Sequence, residues 1–232
     1  MEDGVRRILA WGVHLFTACG AVTGTLALVA TLQEAWTAAL LLMLLGLFID
    51  AVDGMLARRL EVRRFAARID GRRLDDIVDY LNYVIVPAVF LVATGLLPHW
   101  AWTIPPVLAS AYGFSQVAAK TEDDFFLGFP SYWNVLAIYS FLLGVEPLTC
   151  TLWVVVLAGF VFIPWRYAYP SRLRSHRAST FAGAMACFAL VGVSVLAPER
   201  AATLHLVEIS LLFPVWYVWL SWQLGGFRLG EG

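Results

Sequence analysis

The chain has 232 residues, 16 of them basic and 17 acidic, for a formal net charge of −1. Charge this balanced supplies no overall attraction for nucleic acid. Hydrophobic residues make up 60% and charged residues 14%, where soluble domains hold about 45–50% and about 25%, so lipid is the expected solvent and a soluble globule is excluded.

Apolar runs of about 20 residues are long enough to cross a bilayer as helices. In chain order, the sequence predicts spans at Ala10–Leu32, Ala35–Ala57, Ile77–Leu97, Trp100–Ala119, Phe129–Val145, Leu148–Tyr167, Thr180–Ala197 and Ala202–Leu224. The expected architecture is all-α, a polytopic bundle of about eight transmembrane helices forming a single domain over residues 1–232. Arg6 and Arg7 precede a run that is long enough to span and shows no clear cleavage site, so the N-terminus reads as a span and not as a removed leader. With both termini in the cytoplasm, every Lys and Arg except Arg200 falls on the cytoplasmic side, as the positive-inside rule requires. A seven-span arrangement moves Arg228 or the Arg172–Arg177 stretch outside. Cys19, Cys150 and Cys187 lie inside apolar runs without metal-ligand spacing and read as packing residues.

The carboxylates are concentrated. Asp50 and Asp53 close the second run, and Asp75, Asp76 and Asp79 open the third. Ionisable residues at membrane depth are costly and seldom face lipid. Asp50 and Asp53 are three apart, Asp75 and Asp79 four apart, so each pair shares a helix face. The two helices are consecutive, antiparallel and joined on the cytoplasmic side, so their carboxylates are expected to converge at that end. Four carboxylates in a small volume need protons or cations. All-oxygen ligation suits Mg²⁺, Mn²⁺ or Ca²⁺, and a pair of divalent ions balances four negative charges. Gly54 and Ala57 form a small-residue notch that suits either close helix packing or the approach of a bulky group. Arg58 follows one turn later with a guanidinium suited to phosphate oxygens.

Together these residues resemble the signature of the CDP-alcohol phosphotransferase family, D-x-x-D-G-x-x-A-R followed by G-x-x-x-D-x-x-x-D. Every fixed position matches: Asp50, Asp53, Gly54, Ala57, Arg58, Gly71, Asp75 and Asp79. The resemblance implies transfer of a phosphoalcohol group from a CDP-linked donor to an alcohol, with release of CMP. It implies that Asp50, Asp53, Asp75 and Asp79 hold Mn²⁺ or Mg²⁺, with two ions expected. Gly54, Ala57, Arg58 and Gly71 then bind the donor, and Asp79 acts as general base. The family also implies a homodimer, and with a bacterial source the location is the inner membrane.

Twelve residues separate Arg58 from Gly71, more than the family's common spacing. The longer gap looks like the variant in members that join CDP-diacylglycerol to free choline. The stretch Phe125–Asn134 and Tyr169-Pro-Ser-Arg172 are similar to that subgroup too. Choline carries a permanent cation without an N–H, so aromatic faces must recognise it. The candidates are Tyr80, Tyr83, Tyr132 and Trp133, with Phe129 nearby and Glu122, Asp123 and Asp124 as attracting charges. Arg166, Arg172 and Arg174 are candidates for donor phosphate or lipid headgroups. His14, His99, His176 and His205 are scattered and carry no expected catalytic role. A serine acceptor is the alternative; it demands partners for both an ammonium and a carboxylate. A cation transporter is the remote one, and it calls for acids near the bilayer midplane, whereas these sit at its cytoplasmic edge.

Overall fold

The computed structural model describes residues 2–116, 125–168 and 177–225. Lys120, Glu122, Asp123, Asp124, Tyr169, Arg172, Arg174, His176 and Arg228 lie outside these residues. The chain divides into two compact units, Met1–Val86 and Pro87–Gly232.

The first unit opens with an antiparallel pair, α1 (Glu2–Leu32) and α2 (Trp36–Arg59). The turn between them places Glu34 at φ +57 and is closed by Ala35 N–H donating to the Ala30 carbonyl at 2.9 Å. On α1 three alanines face inward: Ala10, Ala27 and Ala30 are at most 7% exposed, while Leu15 is 68% and Val22 57% exposed. Small residues at the helix interface and large apolar ones outward is the pattern of a helix packed in lipid. Thr23 and Thr31 sit on the inner face and return their hydroxyls to the Gly20 and Ala27 carbonyls at 2.8 Å, which satisfies these two hydroxyls within the helix.

The connection from α2 to the next long helix folds back on α1. It contains the short α3 (Val62–Phe65), and its Val62 and Ala66 form a core cluster with Ala10 and Val13. His14 is 7% exposed, and its Nε2 donates to the Ala66 carbonyl at 3.2 Å. The unusually long gap between the two half-motifs is therefore an ordered element. The third long helix runs Gly71–Ala93. It comprises α4 (Gly71–Asp79), a π-helical segment (Tyr80–Ile85) and α5 (Val86–Ala93), and the boundary between the units falls inside it. Asp70 caps its start, its side chain accepting from the backbone N–H groups of Arg72 and Arg73 at 3.1 and 3.3 Å.

The second unit holds a 3₁₀ turn (Trp100–Thr103), α6 (Ile104–Ser115), α7 (Trp133–Leu142), α8 (Pro147–Val161), α9 (Arg177–Leu196), α10 (Pro198–Thr203), α11 (Leu206–Ser210) and α12 (Leu212–Gly225). Strands β1 (Phe125–Leu127) and β2 (Arg166–Ala168) pair antiparallel, Phe126 opposite Tyr167. Gly144 ends the α7 turn at φ +60, the left-handed conformation that suits glycine after a helix. On α12, Tyr217 donates to the Ala168 carbonyl at 3.0 Å, and Ser221 Oγ accepts from Ala168 N–H at 3.2 Å.

Among the described residues, four helices are long and apolar enough to cross a membrane: Asp3–Leu32, Trp36–Arg59, Gly71–Ala93 and Ala178–Leu196. Trp133–Leu142 and Pro147–Val161 are shorter apolar helices. The protein is a polytopic, helical integral membrane protein. Several expected spans are shorter or broken. The expected Leu148–Tyr167 helix ends at Val161, because Pro164 cannot continue it and disfavours helix at the residue before. The expected Ala202–Leu224 helix is interrupted at His205, which adopts φ +51. The fourth expected span begins with the 3₁₀ turn before Pro105 and Pro106 start α6.

Candidate active site

All residues of the two half-motifs lie in the first unit. α2 runs uninterrupted through Asp50, Asp53, Gly54, Ala57 and Arg58, and the Asp70 cap sets the phase in which α4 presents Asp75 and Asp79. The outcome is a triangle: Asp50, Asp75 and Asp79 each offer a carboxylate oxygen, and these atoms lie within 4.8 Å of one another. All three residues are half-buried. Three such oxygens from anionic side chains form a hard, all-oxygen donor set, and their mutual repulsion is relieved when a divalent cation sits among them. The residues present fit a divalent metal.

Asp53 lies outside that triangle. It is 4% exposed and within electrostatic reach of Asp75 and Arg58. The Arg58 guanidinium folds back along α2: a methyl group added at Gly54 would meet its Nη1 at 3.4 Å. Gly54 thus leaves space over the helix beside the acids, and Arg58 borders that space. Ala57 belongs to the flank of the cluster formed by Ala10, Val13, Val62 and Ala66. Gly71 has a packing reason for its size, since a Cβ there would come within 3.1 Å of His14 Cε1.

The aromatic candidates divide between the units. In the first, Tyr80 is half-buried, and Tyr83 is 7% exposed with its hydroxyl donating to Asp50 Oδ2 at 2.5 Å. In the second, Tyr132 precedes α7 and lies edge-on to Tyr217, ring centroids 6.2 Å apart. Trp133 is 1% exposed, donates its indole N–H to Ser110 Oγ at 2.7 Å and packs edge-on against Phe129. Arg166 lies over the Phe125 ring at 4.5 Å.

Two buried polar residues of the first unit are absent from the motif. Asn82 is 5% exposed and donates through Nδ2 to the carbonyls of Gly20 and Val78, at 2.9 and 3.0 Å. His14 ties α1 to the connection that leads into Gly71. An amide three residues past Asp79 in an otherwise apolar stretch was a readable signal, because polar groups at membrane depth are rarely idle. His14 has no comparable signal, since its partner is a backbone carbonyl in a distant loop.

Residues 13–163 match the CDP-alcohol phosphatidyltransferase family, and the chain belongs to it. At the level of individual proteins, the chain is similar to the phosphatidylcholine synthase of Legionella pneumophila, 41% identical over 91% of this chain and 87% of that protein. It is also similar to the phosphatidylcholine synthase of Borreliella burgdorferi, 32% identical over 94% of each chain. A third relative, the phosphatidylcholine synthase of Pseudomonas aeruginosa, is 37% identical over 73% of each.

Proposed function

We propose that this chain is a phosphatidylcholine synthase of a bacterial inner membrane. It moves the phosphatidyl group of CDP-diacylglycerol to choline and releases CMP. The observation that carries the reaction class is the convergence of Asp50, Asp75 and Asp79 beside Gly54 and Arg58. The acceptor rests on relatives that match nearly the whole chain.

In this reading Asp50, Asp53, Asp75 and Asp79 hold two Mg²⁺ or Mn²⁺ ions. Bound there, the ions supply Lewis-acid neutralisation of the diphosphate. Arg58 clamps phosphate oxygens with two parallel N–H groups. Gly54 and Ala57 leave room for the nucleotide against α2, and Gly71 is the remaining motif position proposed for donor binding. Asp79 accepts the choline hydroxyl proton as that oxygen attacks the β-phosphorus, which already bears diacylglycerol. The bond from that phosphorus to the bridging oxygen breaks, and the oxygen leaves with CMP. Tyr80, next to Asp79, is the proposed face for the trimethylammonium group. Tyr83, whose hydroxyl is engaged by Asp50, and the buried Trp133 suit that task less well.

The Arg distribution supports eight crossings with both termini and the acids on the cytoplasmic side. The family match from residue 13 to residue 163 crosses the boundary between the two units, which supports reading the chain as one functional domain. A homodimer is proposed from the family resemblance.

The test is a transfer assay on the full chain in proteoliposomes with CDP-diacylglycerol labelled in both phosphatidyl and cytidine moieties. Choline, serine, ethanolamine and glycerol phosphate are offered separately. Phosphatidylcholine and CMP in equal amounts are expected with choline. A serine product of greater yield replaces the acceptor, and no CMP release with any alcohol refutes the reaction class.

A further inference from the structure

We infer that Tyr83 is a positioning residue for Asp50, holding one oxygen of that carboxylate so that the group faces the acid triangle in a fixed orientation. The inference rests on the metal-dependent reading of the same site. Its basis is geometric. Tyr83 is 7% exposed, comes from the third long helix, and reaches across to α2, where its hydroxyl donates to Asp50 Oδ2 at 2.5 Å. A carboxylate has about four lone-pair sites on two oxygens. A hydroxyl on Oδ2 therefore restricts rotation of the group and still leaves acceptor capacity for a cation.

The local backbone explains why Tyr83 lies within reach. The helix is π-wound from Tyr80 to Ile85, and Val86 N–H donates to the carbonyl of Leu81, five residues back. Asn82, inside that segment, places its Nδ2 on the carbonyl of Val78, four residues back. A side chain that enters the i to i−4 ladder widens a helix locally, and such π turns occur most often at functional sites. The amide is accommodated because Gly20, Gly24 and Gly46 line its surroundings. A Cβ at Gly24 or Gly46 would stand 2.9 or 2.8 Å from Asn82 Oδ1. Three glycines admit Asn82, Asn82 accompanies the widened turn, and the next residue carries its hydroxyl to a proposed metal ligand. Groups that orient ligating carboxylates typically change metal affinity by about 10–100-fold when removed.

The experiment measures Mn²⁺ binding to the full chain in nanodiscs, without either substrate, from the electron paramagnetic resonance signal of free Mn²⁺. Tyr83→Phe is expected to weaken Mn²⁺ binding by about tenfold or more and to raise the Mn²⁺ concentration for half-maximal transfer by a similar factor. The choline KM should stay within about twofold of the unmodified protein, since a group acting only through Asp50 does not touch the acceptor. Replacing Tyr83 with 4-aminophenylalanine, which keeps an N–H donor in place, should restore most of the affinity. In an Asp50→Ala background, Tyr83→Phe should have no additional effect. Unchanged Mn²⁺ affinity in Tyr83→Phe, or no recovery with the amino analogue, overturns the inference. A raised choline KM at unchanged Mn²⁺ affinity overturns it as well and makes Tyr83 an acceptor contact. Mn²⁺ binding that follows this pattern in a protein making no phosphatidylcholine refutes the acceptor reading alone.

Discussion

Asn82 donates its side-chain amide to the backbone carbonyl of Gly20 at 2.9 Å, joining the third long helix to the first. The bond is possible because position 20 has no side chain: a Cβ there would lie 2.6 Å from Val78 Cγ1. In lipid no water competes for these groups, so an amide facing two carbonyls is retained as helix-to-helix adhesion. Asp79 and Tyr83 flank Asn82 in the chain, and the acid site inherits its geometry from this crossing.

Gly46→Ala is expected to lower stability by about 1–3 kcal/mol, the usual cost of forcing an extra methyl group into a packed site. The added Cβ meets Asn82 Oδ1 at 2.8 Å. Thermal unfolding in detergent measures the loss. Combining Gly46→Ala with Asn82→Ala should cost clearly less than the two single losses added together, because the second change removes the atom that clashes. Full additivity shows that the glycine serves something other than Asn82.

Chelation should abolish transfer, and Mn²⁺ or Mg²⁺ should restore it. The motivation is the triangle of Asp50, Asp75 and Asp79, a hard oxygen set without His or Cys. Undiminished transfer after exhaustive chelation, with metal analysis confirming depletion, removes the metal from the chemistry.

Asp79→Asn should lower the turnover number by about 10²–10⁴-fold, the range for loss of a general base. CDP-diacylglycerol binding, followed by equilibrium retention of labelled donor, should persist. Near-normal turnover moves proton removal to another group.

Arg58→Lys keeps the charge and loses the planar fork. A charge-assisted hydrogen bond contributes about 1.5–3 kcal/mol, so donor KM or kcat/KM should worsen by roughly tenfold or more. Unaltered donor kinetics reduce Arg58 to a charge that sets membrane orientation.

Choline should be used far better than ethanolamine. A desolvated cation–π contact contributes about 2 kcal/mol or more, and a primary ammonium in the same cage loses hydrogen bonds to water without replacement. Tyr80→Leu should raise the choline KM without changing donor binding. Equal use of both alcohols by the unmodified protein defeats the choline assignment; normal choline kinetics in the variant defeats only the choice of aromatic residue.

Much of the site was legible in the sequence because it depends on local periodicity. A four-residue spacing returns to nearly the same face at 3.6 residues per turn, so Asp75 and Asp79 share a face whatever surrounds them. The antiparallel order of two consecutive membrane helices then brings Asp50 to the same end. Lipid as the solvent followed from composition alone, and the helical class followed because backbone polar groups must be satisfied within each span.

What only the tertiary structure decided are the relationships made between distant segments. A three-residue spacing falls about 60° short of a full turn, and the direction in which that offset carries Asp53 depends on its neighbours; here Asp53 is buried outside the triangle. The hydrogen bond from Tyr83 to Asp50 joins two long helices, and spacing alone does not disclose it. The role of Gly71 beside His14, the docking of the long connection on α1, and the pairing of β1 with β2 at the end of the expected Leu148–Tyr167 helix are of the same kind. Helical phase is a property of neighbours in the chain and can be read from spacing. A hydrogen bond across helices depends on axial offset and rotation, which are set by the sum of many weak packing contacts and become visible only when the chain has folded.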